Sequence, residues 1–297
     1  MMPLLKWSQA RFPVRDGDAL VRFRRRAERF ANMVFSLPRD VVLENSEIGG
    51  VPGDWLIPHD APADPVIVFL HGGGIIFGWS NPNRRTVAHL AKFSGMRAFG
   101  VDFRLAPEHC YPAAHADCFA VYQALVRQGR RIVLIGESSG GVLALATLLR
   151  AKSEGLPQPT LCVLISPTVD YGFQGARIWS SDDVFAHPNF VVGLHGHYLA
   201  GHDTRVPYLS PIDADLSGLA PLYVLAAEHD VLRGEAERLE EAAKRFDLKF
   251  ELSLWPEVWH GWHLFAPQLP EATQALQMLG DVVRQRTSHE PHGRPEA

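Results

Sequence analysis

Cysteine is scarce. Cys110, Cys118 and Cys162 are the only three in 297 residues, and no two of them share a Cys-x-x-Cys spacing. An odd, scattered set supplies neither a disulfide framework nor a thiolate metal cage, and it fits a reducing compartment. Long apolar runs are missing too: none approaches the ~20 residues a helix needs to cross a bilayer. The opening MMPLLKWSQARF has no apolar segment of signal-peptide length. The expectation is a cytoplasmic protein without stable membrane insertion. Neither charge sign dominates, and a net charge of −4 gives no footprint for nucleic acid, so that partner is not expected. Internal repeats are absent.

What is present is enough apolar material, 46% of residues, to bury a large core without disulfide or metal staples. From residue 66 onward short apolar runs alternate with helical patterns. VIVFL (66–70), AFGV (98–101), IVLI (132–135), CVLIS (162–166), LYVLA (222–226) and FELSL (250–254) read as strands. Most lack polar alternation, as expected of strands covered on both faces of a parallel sheet. Helices are expected at about 84–93, 112–128, 139–152, 234–246 and 271–285. The alternation predicts an α/β fold with a doubly wound, mostly parallel sheet. VVLENSEI (41–48) and DWLIP (54–58) are candidate antiparallel edge strands.

Two segments break the alternation. Residues 1–40 carry Leu20, Phe23, Ala27, Phe30 and Val34 on one helical stripe, with Arg22, Arg25, Arg26 and Arg29 on the other face. Residues 171–209 interrupt the sheet pattern and are rich in aromatics and histidine. Both read as pieces of a lid over the C-terminal edge of the sheet. The arginines read as a solvated outer face, with an anionic lipid contact as the rival. The polar end, 286–297, reads as a frayed tail.

Between the apolar runs RIVLI and VLALATLL lies GESSGG, residues 136–141. A Gly-x-Ser-x-Gly frame fits one serine only, with Gly136, Ser138 and Gly140 in register. In a strand–turn–helix setting this pattern lifts the serine hydroxyl above the sheet, and small flanking residues let strand and helix pass closely. Ser139 opens the helix, where its backbone N–H would face a developing oxyanion; its side chain is assigned no task. A Gly/Ser-rich turn without chemistry would show the same letters, so partners elsewhere must decide.

A serine alcohol needs a base, and the base needs an orienting acid. In this fold class the order is Ser, acid, His. Asp230 follows the strand LYVLA, at the sheet edge where catalytic groups collect, and His260 follows the last strand. Asp170 and Glu228 rival Asp230. His263 rivals His260, but reads as a packed histidine. HGGG (71–74) also ends a strand, and its glycines leave N–H groups unobstructed for an oxyanion. No Gly-Lys-Ser/Thr follows it, which argues against a phosphate loop.

Taken together, HGGG (71–74), DFRLAPEH (102–109), GESSGG (136–141), SPIDADLSGLAPLYVLAAEHDVLR (210–233) and HGWHLF (260–265) resemble, in order, the hormone-sensitive-lipase-like esterases. These form the HGGG-bearing bacterial branch of the α/β-hydrolases. The resemblance implies an α/β-hydrolase core over 41–285, a helical cap from 1–40 and the insertion at about 171–209. It implies hydrolysis of short-chain carboxylic esters, acetyl to about hexanoyl, without metal or cofactor. By position Ser138 matches the nucleophile, Asp230 the acid and His260 the base, while Gly73, Gly74 and Ser139 match the oxyanion donors. Four positions depart from the family's habit: Glu137 for Asp, Ser139 for Ala, Phe103 for Tyr and Trp262 for Phe. None removes a catalytic group.

Three histidines close in sequence, His195, His197 and His202, with Asp203 beside them, raise a metal site, but the stretch resembles an ordinary cap turn. Phe77, Trp79, Phe185 and Tyr198 are candidates to line the pocket, with simple packing as the equal alternative. The expected partner is a small ester, and a homodimer is the assembly considered. An amide or N-acetyl hydrolase would use the same triad. A non-catalytic small-molecule receptor on this scaffold is the reading of another class, and the presence of His260 counts against it.

Overall fold

The computed structural model describes residues 16–173 and 182–288. The first part of the expected cap (1–15), a piece of the insertion (174–181) and most of the expected tail (289–297) lie outside the described residues.

Eight strands form one sheet: β1 (Val41–Ile48), β2 (Val51–Pro58), β3 (Val66–Leu70), β4 (Ala98–Val101), β5 (Ile132–Glu137), β6 (Leu161–Ile165), β7 (Leu222–Ala227) and β8 (Phe250–Trp255). Their spatial order is β1-β2-β4-β3-β5-β6-β7-β8. The first two pair antiparallel, and β2 runs antiparallel to β4. All other neighbours are parallel. The edge-strand expectation holds, with β2 starting three residues earlier than its apolar run, at Val51.

Seven α-helices accompany the sheet among the described residues: α1 (Gly17–Val34), α2 (Asn81–Ser94), α3 (Ala113–Arg127), α4 (Ser139–Ser153), α5 (Pro188–Leu199), α6 (Arg233–Arg245) and α7 (Pro270–Ser288). The last runs past residue 285, so its final turn occupies the start of the expected tail. Leu276, Leu279, Val283 and Thr287 are buried along it, and that inward stripe carries the helix further than its polar composition suggests.

Unbroken apolar strands follow from covering both faces. Val66, Val68 and Leu70 of β3 point into one core with α3, α4 and α6. Ile67 and Phe69, one residue out of step, point into a second core with α2 and α7. Period-two alternation thus places every β3 side chain in one core or the other.

The stripe expected on the first helix is not its buried face. Leu20 is buried, but Phe23, Phe30 and Val34 are 38%, 63% and 54% exposed. The residue that turns inward beside Leu20 is Arg24. Its guanidinium donates to the carbonyls of Ile76 and Ala106, each at 3.2 Å, and pairs with Glu108. Arg24 takes an inward position beside Leu20 because both terminal guanidinium nitrogens find acceptors there.

Candidate active site

Ser138 joins β5 to α4 at φ +50°, ψ −117°, backbone angles that an L-residue rarely adopts. The turn is held from both sides: the Ser138 N–H donates to Ile165 O, and its carbonyl accepts from Thr168 N, each at 2.9 Å. The glycine spacing has a steric cause. A Cβ on Gly136 would come within 2.4 Å of the Gly140 carbonyl oxygen, and one on Gly140 within 2.0 Å of Leu70 O. Neither backbone can retreat, so only glycine fits.

Asp230 leaves the C-terminal end of β7, and His260 follows β8. The His260 Nδ1 lies 2.9 Å from Asp230 Oδ1, and its Nε2 lies 3.1 Å from Ser138 Oγ. Because a carboxylate only accepts, Nδ1 carries a proton. In the neutral imidazole the Nε2 lone pair then faces the hydroxyl. Asp230 Oδ1 also accepts the Leu232 N–H at 2.7 Å. Burial alone would lower the imidazole's pKa, but the charge and hydrogen bond of Asp230, with help from Asp183 and Glu137, push it up to about 9. Burial works against ionisation of Asp230 as well; His260 overcomes it and holds the carboxyl below its ordinary range.

The glycine loop after β3 packs against the serine turn through neighbours of Ser138. Glu137 Oε2 accepts the Gly72 N–H at 2.9 Å, and Ser139 Oγ accepts the Gly74 N–H at 3.0 Å. The Ser139 side chain therefore has a structural task that its sequence position alone did not reveal. His263, fully buried, places Nε2 at 3.4 Å from Glu137 Oε1. Burial would raise the Glu137 pKa, but His263 and the Gly72 N–H keep it lowered. Beneath the loop His71 stacks on Phe103, with ring centres 4.1 Å apart, and donates from Nδ1 to Gly72 O at 2.8 Å. Burial holds His71 neutral, with a pKa of about 4.

Ser138 and His260 open into a cavity of about 400 Å³ with predominantly apolar walls. Phe77 and Phe185 line it as expected, and so do Phe23, Phe190, Leu194 and His195. Trp79 and Tyr198 do not. The Trp79 indole donates to Asp54 at 2.6 Å, and the Tyr198 hydroxyl meets His115 Nδ1 at 2.7 Å, so both rings belong to the packing.

The rival residues have other partners. Asp170 holds Arg238 at 2.9 Å and accepts the Ser210 hydroxyl at 2.6 Å. Glu228 accepts the Glu257 N–H at 3.1 Å. The histidine trio does not converge: His195 Nδ1 donates to Val191 O and His202 Nδ1 to Leu199 O, each at 2.8 Å, while Asp203 pairs with Arg205. Among the described residues the cluster with metal-ligand spacing is instead Glu228, His229 and Glu257, which borders the surface.

Comparison with known proteins agrees with the fold. Residues 67–264 match the profile of the alpha/beta hydrolase fold. The chain is similar to an acetyl-hydrolase of Streptomyces hygroscopicus, 32% identical over 281 residues that cover 92% of each chain. It is similar in structure to a hormone-sensitive lipase from a metagenome library: TM-score 0.86, 30% identity, covering 96% of this chain and 97% of that one. A third neighbour, EstE5 soaked with p-nitrophenyl butyrate, gives a TM-score of 0.84 and 32% identity over 89% of this chain and 92% of that one. The chain belongs to the α/β-hydrolase family. Its relatives lie among the hormone-sensitive-lipase-like esterases that its five motifs resemble. Among the described residues no helix is long and apolar enough to cross a membrane.

Proposed function

We propose that this protein hydrolyses carboxylic esters of short acyl groups, acetyl to about hexanoyl, through an acyl-enzyme formed on Ser138. The observation that carries the reading is the relay from Asp230 through His260 to Ser138, with contacts of 2.9 and 3.1 Å, opening into an apolar cavity. His260 Nε2 takes the hydroxyl proton as Oγ attacks the ester carbonyl, and Asp230 stabilises the imidazolium. The carbonyl's π electrons move onto its oxygen, where backbone N–H groups of Gly73, Gly74 and Ser139 receive the charge. The tetrahedral intermediate collapses, the C–O bond to the alcohol breaks, and His260 returns the proton to the leaving oxygen. Water then repeats the sequence on the acyl-enzyme and releases the acid.

The size of the cavity limits the acyl chain. A cavity of about 400 Å³ sits near the small end of ligand pockets, and aromatic side chains crowd it. We read α1 together with the described insertion residues, 182–209, as the cap: Phe23 and Ala27 come from the first, and Phe185, Phe190 and Leu194 from the second. The names of the relatives, acetyl-hydrolase and esterase, point the same way.

The test is hydrolysis of p-nitrophenyl esters from acetate to palmitate by wild type and Ser138→Ala. Turnover should be greatest at or below hexanoate, and the variant, folded by circular dichroism, should lose about 10⁴-fold or more in kcat. A folded S138A enzyme that keeps its turnover would end the reading.

A further inference from the structure

We infer that Asp183, a residue of the insertion, is a positioning residue that fixes the acid-bearing and base-bearing loops relative to one another. The inference rests on the Ser138–His260–Asp230 reading above and adds to it a part that no sequence motif marks.

Asp183 is fully buried. A carboxylate out of water is costly unless donors surround it, and here four backbone N–H groups do. Oδ1 accepts from Phe185 and Ala186, at 2.8 and 2.9 Å, which turns the chain into α5. Oδ2 accepts from Val231 and His260, both at 3.0 Å. Val231 directly follows Asp230, and the other donor is the backbone of His260 itself. One oxygen atom therefore ties together the loops after β7 and β8, from residues 48 and 77 positions away in sequence.

That position matters because loops are the least rigid parts of a scaffold, whereas proton relay demands placement within about 0.5 Å. The Asp230–His260 hydrogen bond aligns two side chains; Asp183 holds the two backbones from which they hang. It also brings a second carboxylate to the imidazole, so the imidazolium formed during acyl transfer is stabilised from two sides. The groups facing His260 are Asp230 and Asp183 on the acidic side, Glu137 across the serine turn, and His195 from α5. Burial, and after it the nearby charge of Asp230, push the Asp183 carboxyl upward. Because Asp183 belongs to the insertion, the order of that segment and the geometry of the relay are mechanically linked.

The test compares wild type, Asp183→Asn and Asp183→Glu on p-nitrophenyl butyrate, with Ser138→Ala as the check on the underlying reading. In D183N an amide NH₂ replaces one acceptor. kcat should fall about 10- to 100-fold with KM within twofold, and the acid limb of kcat/KM should move to lower pH because a negative charge beside the imidazole is gone. D183E keeps the charge but lengthens the arm, so its acid limb should stay while kcat drops. In the wild type, the Val231 and His260 amides should exchange with solvent as slowly as those of β7, a measurement that needs no variant. Full kcat in D183N, a loss confined to KM with an unmoved limb, or fast exchange of both amides would overturn the inference. Activity surviving in S138A would instead overturn the relay, and the two failures are read in separate samples.

Discussion

Arg24 of α1 and Glu108 of the loop before α3 form an ion pair across 84 residues, the second guanidinium nitrogen reaching Glu108 Oε2 at 3.1 Å. The same guanidinium bonds two core carbonyls, and the arginine side chain is only 9% exposed. Leu20 is the one apolar residue of α1 that is buried, so the helix is attached largely through polar contacts. Exposed ion pairs contribute little, but removing a buried donor strands its acceptors.

Arg24→Ala should therefore destabilise the protein by about 1–3 kcal/mol, read as a fall of a few degrees in Tm. Because Phe23 and Ala27 line the cavity, KM for butyrate esters should rise more than kcat falls. Arg24→Lys should rescue little, since one ammonium cannot reproduce a planar fork. Unchanged Tm and KM in the alanine variant would show that other contacts hold α1.

Much of this was legible in the letters. Continuous runs such as VIVFL and IVLI announce strands buried on both faces, and glycines flanking Ser138 mark a turn where a Cβ would meet backbone. The order Ser138, Asp230, His260 needs only the fold's topology. The inward turn of Arg24 on α1 was not legible, because hydrophobic periodicity ranks arginine as outward and nothing local tells that it will meet two carbonyls and Glu108. The link that Asp183 makes between the two loops left no trace because the Val231 and His260 N–H groups lie far away in sequence and carry no signature. Aromatic character alone could not separate pocket from packing for Phe77, Trp79, Phe185 and Tyr198; the polar atoms of Trp79 and Tyr198 found partners in the packing.

The hydroxyl of Ser139 occupies the Gly74 N–H at 3.0 Å, and that N–H is one of the proposed oxyanion donors. An alcohol oxygen beside the amide competes with the developing oxyanion for the same hydrogen. Ser139→Ala releases the N–H, so kcat should rise, by about two- to tenfold for one neutral hydrogen bond. Pre-steady-state kinetics on p-nitrophenyl butyrate would assign the gain to acylation. A tenfold loss would mean that the Ser139 hydroxyl supports the loop rather than restrains it.

A base must be unprotonated to accept a proton, and the surroundings of His260 raise its pKa from 6.5 to about 9. The acid limb of kcat/KM should accordingly lie on the alkaline side of neutrality, with activity still rising between pH 7 and 9. Stability runs the opposite way. A base whose folded pKa exceeds its unfolded value contributes stability that is fully present below pH 6.5 and is lost as pH rises through about 9. The same window that switches the relay on thus withdraws the imidazolium's attraction to Asp230 and Asp183. Asp230→Asn should move the acid limb down in pH while flattening the decline in stability across that window. Ester hydrolysis, corrected for background, and chemical denaturation, both followed from pH 6 to 10, would check the pair. An acid limb at or below 6.5 in the wild type would show that the two carboxylates do not hold the proton on His260.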